Sequence, residues 1–467
     1  MEFISTRGKD GPISFETALL NGLARDGGLY LPVSWPRFNL DEIRQMRDLS
    51  YSDLAGLIMS RFTDGEIDQV EMTSLARQSY ADFTHPDVAP LRPVAENIHI
   101  LELFHGPTIA FKDYAMQFLS RVFDRALTRQ NRTAVILGAT SGDTGSAALE
   151  AFKGRDSVDV FILFPNGRVS PVQQKQMTSI SAKGAHAVAV SGDFDDCQDM
   201  VKACFNDVAF RDEMNLSAVN SINWARLMPQ IVYYFASALK VGAPEQTVAF
   251  CVPTGNFGNV FAGWVAAKMG LPVEKFIVAS NRNDILTRFF ATGTMQRRSV
   301  DPSLSPSMDI QVSSNFERLL FELLDRDGVE VARLMKRFAK SGSFDVAENV
   351  LRSALSLFSG FCLNDDGTRA EIRSTYQQTG MVIDPHSAVG LAGARQARAS
   401  GLVSRDTPII SLACAHPAKF PDAVQSACGI YPGLPDHLAN LMQRDDVMLT
   451  AENDMEAVQA LLRAERR

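Results

Sequence analysis

The chain has 467 residues, a mass of 51.2 kDa and a formal charge of −8, with 46% hydrophobic and 21% charged residues. At roughly 100–200 residues per domain this length suggests two to four domains, and the composition excludes disorder over most of the chain. Lys and Arg total 46 against 54 Asp and Glu, which argues against a general binder of nucleic acid or anionic membranes but leaves room for a local basic pocket.

The N-terminal Met1-Glu2-Phe3-Ile4-Ser5-Thr6-Arg7 has no basic run followed by an apolar one, so no secretory signal is expected. Residues 16–23 form a short amphipathic stretch. It ends at the turn signal Asp26-Gly27-Gly28, and Leu29-Tyr30-Leu31-Pro32 follows as an extended piece. Residues 40–46 and 51–62 carry apolar side chains at helical spacing, among them Leu54, Leu57, Ile58 and Phe62. The first 95 or so residues therefore read as mostly helical, and the Pro-bearing segment 85–93 as a connection.

Beyond it strands and helices alternate. Strands are expected over 98–103, 133–137, 158–164, 187–190, 248–252, 276–279 and 408–413. Helices are expected over 113–127, 144–152, 194–205, 223–239 and 260–268. Repeated strand-helix units indicate an α/β protein with mainly parallel sheets, whose ligands sit beyond the carboxyl ends of strands. The uncharged stretch 246–267 contains Pro253, Gly255, Asn256, Gly258, Asn259 and Gly263, which suits a soluble strand-loop-helix better than a membrane span. Residues 292–314, rich in Ser, Pro and Met, read as a long loop.

The six cysteines (197, 204, 251, 362, 414 and 428) form no C-x-x-C pair and no zinc-type spacing. They read as reduced thiols in the cytosol, and nothing argues for a metal ion.

Four strand-to-helix loops carry the chemistry. Phe104-His105-Gly106-Pro107-Thr108-Ile109-Ala110-Phe111-Lys112-Asp113 places one lysine in an apolar run. If buried, that amine would have a depressed pKa and suit Schiff-base chemistry; the alternative is a lysine snorkelling at a helix start. Gly138-Ala139-Thr140-Ser141-Gly142-Asp143-Thr144-Gly145 offers backbone N–H groups at a helix N-terminus, suited to a carboxylate or phosphate. It is neither a P-loop nor a G-x-G-x-x-G, and it also reads as a plain loop capped by Asp143 or Thr144. Pro253-Thr254-Gly255-Asn256-Phe257-Gly258-Asn259 is a second anion cradle or a tight turn. Ala413-Cys414-Ala415-His416-Pro417-Ala418-Lys419-Phe420 offers His416 and Cys414, which read equally as structural residues. One candidate Schiff-base lysine and two phosphate-type cradles together fit pyridoxal 5′-phosphate beside a second anionic group.

These loops, with Ile4-Ser5-Thr6-Arg7-Gly8, Leu23-Ala24-Arg25-Asp26-Gly27-Gly28-Leu29-Tyr30 and Asn220-Ser221-Ile222-Asn223, occur in an order that resembles the threonine synthase family in its longer bacterial and fungal form. The resemblance covers nearly the whole chain. It implies an α/β, tryptophan-synthase-β-like architecture (PLP fold type II) with two α/β domains and a mainly helical N-terminal domain. The corresponding boundaries are 1–95 for the N-terminal domain and 96–425 for the PLP-binding catalytic region, with a smaller α/β subdomain near 133–225. Residues 426–467 would be a C-terminal helical extension packing on the core.

The resemblance implies that Lys112 takes the Schiff-base position and serves as the catalytic base. Gly255, Asn256, Phe257, Gly258 and Asn259 then fall in the loop that holds the cofactor phosphate. Asp143 falls in the loop that faces the cofactor's 3′-oxygen and the substrate carboxylate. Cys414 stands where the family usually has a Thr facing the pyridine nitrogen, and a thiol is the weaker donor. Thr140, Ser141, Asn220, Ser221 and Arg226 are candidate ligands of the substrate phosphate, with Lys183 a further one; for Arg226 the alternative is a surface helix charge. The implied reaction converts O-phospho-L-homoserine and water to L-threonine and phosphate, the last step of threonine biosynthesis, in a cytoplasmic monomer or homodimer without nucleic-acid or membrane partners. Rival readings are a related PLP phospho-lyase yielding 2-oxobutanoate, a nucleotide-binding α/β oxidoreductase, and a non-catalytic relative.

Overall fold

The computed structural model describes residues 1–467. Near the N-terminus, β1 (Phe3–Ser5) pairs antiparallel with β2 (Tyr30–Pro32). The turn before β2 is tied by Asp26, whose Oδ1 accepts from Ser5 Oγ at 2.7 Å and from the Gly28 N–H at 2.9 Å. A Cβ on Gly28 would lie 2.1 Å from Ser5 Oγ, so only glycine fits there. The helices Phe15–Asn21, Leu40–Gln45, Tyr51–Ser60 and Gln69–Tyr80 begin at Ser14, Asn39, Ser50 and Asp68. Each of these four side chains accepts from an orphan N–H of the first turn, which is why the helices start where they do.

Two sheets follow. Their strands in chain order are β3 (Leu91–Ala95), β4 (Ile98–Glu102), β5 (Ala134–Ala139), β6 (Val158–Pro165), β7 (Ala185–Val190), β8 (Leu216–Ser217), β9 (Val248–Pro253) and β10 (Val273–Ser280). The small pair β11 (Thr294–Gln296) and β12 (Ser343–Asp345) stands apart, and β13 (Phe358–Cys362), β14 (Ile409–Ala413) and β15 (Leu449–Ala451) complete the set. The larger sheet has the order β13-β10-β9-β14-β4-β3, parallel except for the edge hairpin β3–β4. The smaller sheet runs β15-β7-β6-β5-β8 and is parallel throughout. Every residue of β6 and β9 is buried, as expected for strands covered by helices on both faces.

The helix Lys112–Arg129 carries the chain from the larger sheet to the smaller, and Trp224–Lys240 carries it back. One continuous apolar cluster joins the N-terminal helices, both of these crossover helices and inner residues of both sheets. No helix is long and apolar enough to cross a membrane.

The alternating strands and helices lie within a few residues of their expected limits. Differences arise where periodicity is weak. The connection expected over 85–93 ends in edge strand β3, where Pro93 is tolerated because an edge strand needs no second ladder partner. Residues 292–314 start at the end of the helix Ile285–Thr292 and pass through β11, and apart from one 3-10 turn at Pro306–Met308 the remainder is held largely by side chains. Asn281 Nδ2 donates to Ser303 Oγ and Asp309 Oδ1, both at 2.7 Å, and Asn283 Nδ2 donates to the Asp301 carbonyl at 2.8 Å. Residues 426–467 are α-helical at 426–428, where the helix Pro421–Cys428 ends, and over Met455–Glu465; between these, β15 adds a strand to the smaller sheet.

The helix Gly258–Lys268 lies against the larger sheet through Gly263, where a Cβ would come within 2.6 Å of both Phe276 and Tyr234. Those rings are fully buried. Gly263→Ala is expected to destabilise the fold by about 1–3 kcal/mol through overpacking, despite its better helix propensity. The check is a lower urea midpoint with an unchanged slope.

Candidate active site

β4, β14 and β9 are neighbours in the larger sheet and end at Glu102, Ala413 and Pro253. The loops leaving these ends hold Lys112, Cys414 to Lys419, and Gly255 to Asn259. From the smaller sheet, the loop after β5 brings Thr140 to Gly145. The four loops singled out by sequence thus leave the carboxyl ends of strands in both sheets.

Asp113 fixes the turn that presents Lys112. Its carboxylate accepts from the Thr108 N–H at 2.9 Å and from Thr108 Oγ1 at 2.6 Å. Gly106 is required because a Cβ would meet the Asp113 side chain at 2.5 Å. Burial pushes the Asp113 carboxyl up to about 6. Ile109 is held at φ 55°, a conformation that costs a β-branched residue on the order of 1–3 kcal/mol. Two bonds to the neighbouring loop over-determine it: the His416 N–H donates to the Ile109 carbonyl at 3.0 Å, and the Phe111 N–H to the Cys414 carbonyl at 2.8 Å. This strained residue lies in the turn that aims Lys112.

Lys112 opens the helix Lys112–Arg129, and its side chain is 13% exposed. Its Nζ lies 3.5 Å from Asp143 Oδ2. Burial lowers its pKa, Asp143 opposes that, and the cations of Lys419 and Arg226 add to the lowering. Asp143 also accepts from Lys419 Nζ at 2.8 Å and from Gln173 Nε2 at 2.7 Å. Burial alone would raise the Asp143 carboxyl, but the charges of Lys419 and Lys112, with the hydrogen bonds from Lys419 and Gln173, hold it far below the ordinary carboxylate range. Lys419 is fully buried and also donates to the Thr108 carbonyl at 2.9 Å. The motif containing Lys419 is visible in the sequence, but nothing in the local pattern, beyond a lysine two residues after His-Pro at a strand end, marks its ammonium, Gln173 or Asp113 as part of the site.

Two helix N-termini in the site lack side-chain caps. The helix Gly258–Lys268 follows Phe257, held at φ 63°, and the N–H groups of Gly255, Asn256, Gly258 and Asn259 find no acceptor within the chain. Thr254 Oγ1 takes only the Phe257 N–H, at 3.2 Å. Asn259 is turned so that its Oδ1 accepts from Tyr233 and Tyr234 at 2.7 and 2.8 Å. Ser313 Oγ donates to the Gly255 carbonyl at 2.6 Å, and the Asn315 N–H to that of Asn256 at 3.1 Å. At the second N-terminus, that of Asp143–Phe152, Thr140 Oγ1 accepts from Gly142 and Gly145 at 3.0 and 2.9 Å. The N–H groups of Ser141, Asp143 and Thr144 are left without partners in the chain. Each terminus is therefore a ready anion site.

The remaining candidates divide. Cys414 is buried beside Lys112, and burial pushes its thiol far up, so it is a neutral weak donor. Arg226 is not a surface charge: it is 4% exposed, its Nη1 donates to the Val219 carbonyl at 2.8 Å, and its Nε has no partner. Burial lowers its pKa to about 10. Ser221 is half-buried, while Asn220 and Ser141 are exposed. Lys183 is exposed just before β7, at the amino end of the smaller sheet, and so lies apart from these loops.

Behind the cofactor-side loop, residues 315–318 join three parts of the chain. Arg318, fully buried, donates to the Tyr30 carbonyl at 3.2 Å, to the Ile222 carbonyl at 2.5 Å and to Asn315 Oδ1. Glu317 accepts two bonds from Arg7, at 3.0 and 2.9 Å, and one from Thr6 at 2.6 Å.

Comparison with known proteins agrees with this arrangement. Residues 2–80 match the family described as threonine synthase N terminus, 89–348 that of pyridoxal-phosphate dependent enzymes, and 387–462 the threonine synthase C-terminal family. A threonine synthase of Pseudomonas aeruginosa is 49% identical over 463 residues, covering 99% of this chain and 98% of that one. The threonine synthase of Schizosaccharomyces pombe is 42% identical, covering 92% and 90%. The chain belongs to the threonine synthase family. A crystal structure of PLP-bound threonine synthase from Brucella melitensis superposes with a TM-score of 0.97 at 51% identity, with full coverage of both chains. The architecture is accordingly fold type II, and the cofactor is pyridoxal 5′-phosphate. The residues present fit that group: a buried but reachable amine, and an uncapped helix N-terminus whose free N–H groups suit a phosphate.

His416 packs against the Phe104 ring at a centroid distance of 5.4 Å. Its Nδ1 accepts from the Ala418 N–H at 3.2 Å, and burial pushes its pKa from 6.5 down to about 4. The unfolded chain binds a proton at this position below about pH 6.5 that the folded chain refuses until about pH 4. Stability is therefore full above that window and falls as pH drops through it, by up to about 3 kcal/mol. His416→Asn, which keeps an acceptor for Ala418, is expected to lose less stability than the parent between pH 7 and 4.5 in denaturant titrations.

Proposed function

We propose that the chain converts O-phospho-L-homoserine and water to L-threonine and phosphate, with Lys112 as the residue that carries the cofactor and moves the protons. The observation that carries this reading is the site's charge layout: one reachable buried amine beside Asp143, with an uncapped helix N-terminus contributed from each sheet. That gives one cradle for the cofactor phosphate and a second for an anionic group of an amino-acid substrate.

Bound pyridoxal phosphate supplies an electron-withdrawing ring that stabilises negative charge developing on the substrate's carbon skeleton. The protein's own contribution is placement and proton transfer. In this reading the N–H groups of Gly255, Asn256, Gly258 and Asn259 hold the cofactor phosphate, and Phe257 shapes that turn. The N–H groups around Ser141, with Thr140 fixing the turn, receive the substrate carboxylate. Arg226, with an unpartnered Nε at the edge of the buried site, is assigned to the substrate phosphate together with Ser221 and Asn220. Cys414 is assigned to the ring nitrogen as a neutral thiol. Burial lowers the pKa of the Lys112 Nζ, which eases the loss of its proton, as a base serving several carbons in turn requires. Water adds at Cβ after phosphate has left from Cγ. The six free thiols fit a reducing compartment, the cytosol, with the chain acting as a monomer or homodimer. The division into 1–95, 96–425 (smaller subdomain 133–225) and 426–467 belongs to the same reading.

Product analysis tests the reaction. Purified protein with pyridoxal phosphate and O-phospho-L-homoserine is expected to release threonine and phosphate in equal amounts; 2-oxobutanoate in place of threonine would make it a phospho-lyase. Lys112→Ala is expected to lower kcat by about 10³-fold or more, and substantial residual threonine formation would remove Lys112 from its role. Cys414→Thr is expected to fold and to keep or raise activity. A severe loss at normal cofactor content would move Cys414 away from the ring nitrogen.

A further inference from the structure

A single carboxylate, Asp143, faces two lysines. Oδ1 takes Lys419 Nζ at 2.8 Å and Gln173 Nε2 at 2.7 Å, which leaves Oδ2 directed at Lys112 Nζ at 3.5 Å. Lys419 has no exposure and only two partners, Asp143 and the Thr108 carbonyl at 2.9 Å. A fully buried ammonium is rarely retained without a task, since removing it from water costs several kcal/mol. A neutral donor would suffice to satisfy Thr108, whose carbonyl also accepts from Gln176 Nε2 at 3.1 Å. The requirement for a charge therefore comes from Asp143.

We propose that Lys419 is a positioning residue for the reaction: its ammonium clamps Asp143 to the Thr108 carbonyl, sharing the carboxylate's charge and holding it 3.5 Å from the Lys112 nitrogen. Without this clamp, Asp143 would be free to close on Lys112 as its sole cation. Thr108 lies four residues before Lys112, so the same ammonium ties the lysine-bearing turn to the smaller sheet's loop. Lys419 also acts on Asp113, whose carboxyl its charge pulls down against the effect of burial. The charged and titratable groups around Lys112 are Asp143, Lys419, Cys414 and Arg226. Among them Lys419 is the cation that touches the carboxylate, and it lowers the proton affinity of Lys112 both directly and by occupying Asp143.

This rests on the reading that Lys112 carries the cofactor, and the test separates the two. In the holoenzyme, the visible absorbance of the bound cofactor is titrated between pH 5.5 and 10. Lys112→Ala must lose that band's dependence on the lysine; if it does not, the reading of Lys112 fails, whatever Lys419 does. With Lys112 in place, Lys419→Met removes a cation and frees Asp143, and both changes favour the protonated nitrogen. The titration midpoint is then expected to rise by about one pH unit or more. Lys419→Arg, which keeps the charge, is expected to stay close to the parent. Asp143→Asn is expected to shift the midpoint the opposite way. If Lys419→Met does not fold, the double variant Lys419→Met/Asp143→Asn removes the charge pair together, and its midpoint is expected to lie above that of Asp143→Asn alone. An unmoved midpoint in folded Lys419→Met, or no difference between the double variant and Asp143→Asn, would overturn the proposal, because a merely structural lysine would not set this midpoint.

Discussion

The site is organised around a buried carboxylate held between two buried ammonium groups. Burying such charges is unfavourable unless each is paired and hydrogen-bonded, so the surroundings of Asp143 are tightly specified. Gln173 and Lys419 occupy one oxygen and Lys112 faces the other. Because Asp143 opens a helix of the smaller sheet while Lys112 and Lys419 leave adjacent strands of the larger one, the pairing also sets how the two sheets meet. A change in the spacing of the sheets would separate charges that are wholly or largely removed from water. The arrangement gives Lys112 a lowered pKa while keeping it beside an anion, a balance that neither burial nor pairing would reach alone.

The loops bearing this chemistry were legible because their residues break local rules: a lysine in an apolar run, and glycines and asparagines where a strand meets a helix. The same reasoning found the parallel sheets, since fully buried strands such as β6 and β9 read as unbroken apolar runs. Lys419 was harder. Its motif was visible, but a lysine reads as a surface residue until a partner is known, and its partner Asp143 lies 276 positions away in sequence. Gln173 was obscured for the same reason, as was the burial of Arg226, itself a sequence candidate: a polar side chain's burial is decided by tertiary packing, not by its neighbours in sequence.

Much of the region after residue 292 was also illegible. β13 and β11 are short, and the segment around Asn281, Asn283 and Asp309 is held by side-chain amides and carboxylates that leave no periodic trace. Order here comes from specific polar pairing, yet the segment reaches the site, because Ser313 and Asn315 brace the carbonyls of Gly255 and Asn256. A cradle whose N–H groups must stay free for an anion needs its carbonyls fixed from behind, and the loop does this.

Arg318 sets an order of events in time. Its guanidinium pairs with the Tyr30 carbonyl, which precedes it by 288 residues. At typical elongation rates of about 5–20 residues per second, Tyr30 waits on the order of 15–60 s for this partner. Until then the N-terminal hairpin lacks both Arg318 and the Glu317 carboxylate that secures Thr6 and Arg7. The first part of the chain to be made is therefore among the last to be locked, and Arg318, which locks it, also bonds Asn315, one of the two residues that brace the cofactor loop.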